Sequence, residues 1–229
     1  MASANSPCAS SECMNMKLYS YFRSSAAYRV RIALNLKGLD YEYEAVHLLG
    51  DGGQQLKPEY RAVNPDGIVP ALVDDGDILT QSLAIIEYLE ETHPEPPLLP
   101  KRPSDRAFVR SVAMQVACEI HPLDNLRVLK YLKHQVKVPD EAKDAWYRHW
   151  VETGFASLEK RLAADPRVGA LTFGDTPTVA DLCIVPQVFN ARRFGIDVSP
   201  YPTLARIADH ACTLDAFARA APAQQPDAE

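Results

Sequence analysis

The chain lacks any surplus of positive charge. Its 24 lysines and arginines face 30 aspartates and glutamates, a formal charge of -6 at pH 7, which argues against a nucleic-acid binder or a basic membrane-surface protein. It also lacks a run of about 18 uncharged apolar residues, so no membrane span is expected. The opening stretch, residues 1–15, is small and polar, without the basic start and apolar segment of a secretory leader, and is read as an extension outside the fold. The five cysteines (Cys8, Cys13, Cys118, Cys183, Cys212) are odd in number and show neither a CxxC pair nor a zinc-ligand spacing. They suit a reducing, cytosolic compartment with free thiols and no metal. Internal repeats and heptads are missing too.

What is present divides in two. Lys17–Phe22 alternates as a strand, and after the Arg23-Ser24-Ser25 turn a helical pattern runs to Lys37 and a Gly38 stop. Tyr41–Val46 is a second strand, and strand–helix–strand predicts parallel pairing. After a glycine-rich loop, Val69–Val73, Asp74-Asp75-Gly76 and Ile78–Thr80 form a hairpin. A helix over Ser82–Thr92 follows, giving β-α-β, a long connection, then β-β-α. Residues 94–103 hold five prolines and read as a linker. From Ser104 onward, apolar residues recur at three- and four-residue spacing, so the remainder is helical, and Thr178-Val179-Ala180-Asp181 has the form of a capping box.

The chemistry-bearing residues cluster in the first half. Ser24-Ser25 lies between strand and helix, where free amides and the helix dipole favour an anion such as a thiolate, although a serine there also serves as a plain cap. Pro70 opens a strand, where a missing amide is tolerated; a cis bond would present the Val69 backbone to a peptide ligand. Gln81-Ser82 offers an amide and a hydroxyl at the next helix start, suited to a carboxylate or to capping. Position 26 holds Ala26, which excludes thiol–disulfide exchange by a protein thiol there.

Together these stretches resemble the zeta class of glutathione transferases: YSYFRSSAAYRVRIALNLKG from Tyr19, DGGQQ from Asp51, NPDGIVPALVDDG from Asn64, QSLAIIEYLEE from Gln81, TVADLCIVPQVFNARRF from Thr178 and SPYPTL from Ser199. The resemblance spans Met16 to about Pro226 and departs from the class at Ala26, where cysteine is usual. It implies an α/β thioredoxin-like glutathione domain (β-α-β-α-β-β-α, residues 16–93), the linker, an all-α substrate domain (104–220) and a tail (221–229). It further implies glutathione as cofactor and a homodimer. Ser24, with Ser25, would act at the glutathione sulfur, and Gln55, Val69, Pro70, Gln81, Ser82 and His121 would bind the peptide. Arg23, Arg127 and Arg193 would face a small unsaturated dicarboxylic acid, with Arg23 beside the reacting atoms. The implied activity is cis–trans isomerisation of maleylacetoacetate. Isomerisation of maleylpyruvate, or transfer and dehalogenation on small α-haloacids, stands as the alternative.

Overall fold

A computed structural model describes residues 16–229; the reading of residues 1–15 as an extension lies outside the described residues. Strand β1 (Lys17–Ser20) pairs in parallel with β2 (Glu42–Ala45) across helix α1 (Ser25–Leu36), and antiparallel with β3 (Ala71–Asp74), which returns as β4 (Asp77–Thr80). The sheet order is β2-β1-β3-β4. Asp75 and Gly76 at the hairpin tip both have positive φ, the turn that an Asp-Gly pair forms readily. A short helix α2 (Pro58–Val63) fills the long connection, and α3 (Ser82–Thr92) closes the unit.

The first strand ends two residues before its expected boundary. Tyr21 and Phe22 leave the ladder, both side chains are buried, and Ser24 N donates to Tyr21 O at 2.9 Å to close a turn. Leu18, Ile32, Leu72, Ile85, Ile86 and Leu89 are fully enclosed between the sheet and its helices. Burial of each such side chain contributes about 1.5–3 kcal/mol before entropy is counted.

The proline-rich stretch gives its final residue, Pro103, to the first turn of α4 (Pro103–Met114), where a missing amide costs nothing. A wider π-helical turn, Gln115–Ile120, leads into α5 (His121–Asp124), then α6 (Leu126–Tyr131) and the long α7 (Asp140–Ala164). Gly154 of α7 admits Ile120 so closely that a Cβ there would meet the isoleucine side chain at 2.4 Å. Helix α8 (Val179–Arg193) is buried on nearly every side, as a central helix must be, and α9 (Pro202–Cys212) and α10 (Asp215–Ala220) pack around it and α1. The resulting fold is an α/β thioredoxin-like domain followed by an all-helical one.

The capping box is formed at the start of α8. The Asp181 carboxylate accepts from Thr178 N at 2.8 Å, Thr178 Oγ1 at 2.9 Å and Thr172 N at 2.8 Å, all buried. Asp181→Ala strands these donors away from water and is expected to cost about 3 kcal/mol or more of stability. Denaturant titration checks this, with Asp181→Asn recovering part of the loss.

Candidate active site

A cavity of about 500 Å³ lies where the β1–α1 turn meets α5, α6 and the end of α8. The turn supplies Arg23, Ser24 and Ser25. Ser24 is the N-cap of α1, and its Oγ accepts from Ala27 N at 3.2 Å. With the oxygen so engaged, the hydroxyl proton is free to point into the cavity. The Ser25 and Ala26 amides are among the first of α1 and have no intrahelical acceptor, so the positive end of the helix is directed at the same place. Ser25 Oγ in turn accepts from Asn190 Nδ2, and Asn190 Oδ1 accepts from Arg193 Nε at 3.3 Å. A short relay therefore joins the end of α8 to the start of α1.

One wall is built from Val69 and Gln55. The Val69–Pro70 bond is cis, Val69 lines the cavity, and among the described residues no hydrogen bond engages its amide or carbonyl. Gln55 is buried against the same wall, with Nε2 held by Leu48 O at 3.4 Å and Oε1 without a partner among the described residues. Gly53 at φ 99° makes room for this amide, since a Cβ there would lie 2.8 Å from it. A buried acceptor left unpaired is costly unless a ligand completes it.

The opposite wall is cationic. Arg23, Arg127, Lys130 and Arg193 line the cavity, with Asp66 and Asp124 as its only acids among the described residues. Burial and the neighbouring Arg23 charge both lower the Arg193 pKa, the mark of a cation lacking a counter-ion. Among the described residues Arg127 and Arg193 have no carboxylate partner, and that of Arg23 is Glu229 at 3.7 Å. Asp124 offsets little of this charge. Burial raises its pKa to about 7 against the opposing pull of its Gln187 hydrogen bond and of Arg29 and Arg193. His121 is kept neutral by burial and by the nearby Arg29 and Arg127 cations.

The family pattern described as the N-terminal domain of glutathione S-transferase matches residues 18–97. The probable maleylacetoacetate isomerase of Vibrio cholerae is 51% identical over 215 residues, 94% of this chain and 99% of that protein. A bacterial maleylpyruvate isomerase described as a zeta-class glutathione transferase superposes with a TM-score of 0.89 at 48% identity, over 93% of this chain and all of that one. The chain belongs to the zeta class of glutathione transferases. A maleylacetoacetate isomerase of that fold from Methylobacterium extorquens, solved with malonate and glutathione bound, matches equally well, with a TM-score of 0.89 and 47% identity over 93% of this chain and 99% of that one.

In this transferase the cavity brings together Arg23, Ser24, Ser25, Gln55, Val69, His121, Arg127 and Arg193. Pro70, Gln81 and Ser82 stay outside its lining. Pro70 is buried behind Val69, and Gln81 and Ser82 open α3 to one side. Ser82 caps nothing: the N-cap is Gln81, without a side-chain cap bond, and Ser82 Oγ accepts from the buried Arg29 at 3.3 Å. Gln81 is exposed at φ 68°, a conformation that a side-chain-bearing residue adopts at a cost of about 1–3 kcal/mol and that tends to mark working sites. Sequence reasoning passed over Asp124, Asn190 and Tyr147. Of these, Asn190 carried a signal, because it lies three residues before Arg193 on one helix face.

Proposed function

We propose that this transferase is a glutathione-dependent isomerase that converts maleylacetoacetate to fumarylacetoacetate. The observation that carries the reading is the set of three arginines, Arg23, Arg127 and Arg193, that line one cavity with Ser24, where among the described residues their nearest carboxylate contact is that of Arg23 to Glu229 at 3.7 Å. Glutathione fits the remaining wall: the unpaired Val69 backbone and Gln55 Oε1 would hold the peptide, His121 would line its far end, and Gln81 and Ser82 would meet a carboxylate at the flank. Bound there, glutathione would supply a thiolate for reversible addition to the double bond, with rotation about the resulting single bond before the thiolate leaves, so that a cis alkene becomes trans. The Ser24 hydroxyl and the first α1 amides donate to the sulfur and favour its anion. A free thiol titrates near 8.5, and these donors need lower that by only about one or two units, each about 1.4 kcal/mol. Arg127 and Arg193 hold the acid's carboxylates, and Arg23 stands where negative charge develops.

Maleylpyruvate is a second substrate reading, favoured by the equal structural likeness to an isomerase of that name; the same arginines could hold its carboxylates. Comparing kcat/KM on the two acids and on an α-haloacid tests the choice. A preference of at least tenfold for maleylacetoacetate is expected, and the reverse order would transfer the assignment. Kinship with the class supports a homodimeric working unit and a cytosolic location, the latter in keeping with the free thiols of Cys118, Cys183 and Cys212.

Asp124 gives the reaction a pH dependence. Below about pH 7 its carboxyl is neutral, and above that it adds a negative charge to a cavity that must hold an anion. KM for the acid is therefore expected to rise a few-fold between about pH 6 and 8 in the unaltered enzyme and to stay flatter in Asp124→Asn, whose amide oxygen still accepts from Gln187. Because the fold raises this pKa above its unfolded value of about 4, ionisation erodes stability as pH climbs from there to about 7. Asp124→Asn should match the unaltered protein in acid and exceed it above that window, as thermal melts at several pH values would show.

A further inference from the structure

The backbone of the turn that presents Arg23 and Ser24 is held at Tyr21 O, Phe22 N, Phe22 O and Ser24 N, from outside the turn or across it. Ser24 N closes on Tyr21 O at 2.9 Å. The wholly buried Arg31, two helical turns into α1, donates to Ser20 Oγ at 3.0 Å, Tyr21 O at 3.3 Å and Phe22 O at 3.0 Å, and through Nε to Ala220 O at 3.1 Å. Another donor of the turn, Phe22 N, is taken by the carboxylate of Asp227 at 3.1 Å, across 205 residues of sequence. Asp227 accepts a second bond from Tyr43 of β2 at 2.6 Å, so it ties the turn to the neighbouring strand. Glu229 lies beside it, 2.8 Å from His47 and 3.7 Å from Arg23. The segment that carries these acids is itself fixed, with Gln225 Nε2 donating to Arg219 O at 2.8 Å and Ala221 O at 2.9 Å. What reads in the sequence as a tail after the last helix is thus packed against the first domain.

We propose that Asp227 is a positioning residue of the active site, by which the C-terminal segment locks the Phe22-Arg23-Ser24 turn in the geometry that aims the Ser24 hydroxyl. The inference rests on the assignment of Ser24 to the glutathione sulfur, and it is independent of which acid is isomerised. A carboxylate is suited to the task because one anion accepts from a backbone amide and a phenol at once, with the buried Arg31 cation close by. Arg31 and Asp227 grip the turn from two sides, and neither touches the cavity. Loosening one grip leaves the peptide-binding wall at Val69 and Gln55 intact while the sulfur donor wanders, and displacements well under an ångström suffice to slow such chemistry.

Asp227→Ala tests this with readouts that do not depend on turnover. In the ligand-free protein, hydrogen exchange at the Phe22 and Ser24 amides is expected to quicken about tenfold or more. With glutathione bound, the ultraviolet thiolate signal should titrate at higher pH. Conjugation of a neutral electrophile should slow about five- to tenfold in kcat while KM for glutathione moves less than about threefold. Asp227→Asn, whose amide oxygen still accepts from Phe22 N, should recover most of each. Should Asp227→Ala not fold, Tyr43→Phe removes the other bond to the carboxylate, and the same changes are expected at about two- to threefold. Unchanged exchange and an unchanged thiolate titration would overturn the proposal, as would a lower melting temperature with the titration unmoved, which is what a merely structural anchor gives. Failure of the isomerase reading would appear separately, as no turnover of either maleyl acid by the unaltered protein.

Discussion

Replacing Ser24 by alanine is expected to lower saturated turnover by an order of magnitude or more while glutathione affinity stays within a few-fold. The substitution removes one hydroxyl. In the structure that hydroxyl's oxygen is occupied by Ala27 N at 3.2 Å, which leaves its proton for the sulfur. The peptide contacts at Val69 and Gln55 do not involve it, so binding and chemistry should separate: a raised thiol pKa in the complex, with a dissociation constant nearly unmoved. Stability should fall by about 0.5–2 kcal/mol, because the same oxygen caps α1. Full activity in Ser24→Ala would move the donor to Ser25, whose Oγ accepts from Asn190 and so also has a proton to give.

The second large effect is expected at Arg193. Methionine keeps the length and much of the apolar stem, and it replaces a guanidinium whose carbon lies 4.4 Å from the centre of the Phe194 ring. It deletes the charged fork. A charge-assisted contact to a carboxylate contributes about 1.5–3 kcal/mol, so Arg193→Met should lose about ten- to a hundredfold in kcat/KM for the maleyl acid. Conjugation of a neutral chlorinated nitrobenzene has no carboxylate to lose and serves as the control. Equal losses on both substrates would mean that Arg193 works through Asn190 on Ser25, the relay its Nε bond at 3.3 Å makes available. A loss on neither would return it to an ordinary surface role.

Much of this was legible in the sequence because local rules govern it. The alternation at β1, the Asp-Gly hairpin tip, the Ser24 cap and the Thr178–Asp181 box each depend on residues within a few positions of one another. The resemblance to the class then supplied what short patterns cannot, namely that Arg127 and Arg193, 66 positions apart, would face one cleft with Arg23, and all three line one cavity. The parts that escaped are long-range. Alternation carried β1 on through Phe22, but Arg31 and Asp227 draw that segment into a turn, and neither partner is visible from the strand's own residues. Ser82 read equally well as a cap, yet its hydroxyl answers a buried arginine on another helix. Asp124 was passed over because a carboxylate after His121-Pro122 looks like a solvated helix end, and only the packing shows that it is buried against Gln187, with Nε2 to Oδ2 at 2.6 Å.

The central claim is that the site uses a glutathione thiolate catalytically to turn a cis acid into a trans one, and the most direct test follows product and thiol together. Purified protein is given maleylacetoacetate in large excess over glutathione, fumarylacetoacetate is measured by absorbance, and free thiol is titrated at intervals. Many product molecules per glutathione with the thiol titre constant is the predicted result, along with no conversion when glutathione is left out. Thiol consumed in step with the acid, or isomerisation that proceeds at full rate without glutathione, would contradict the account.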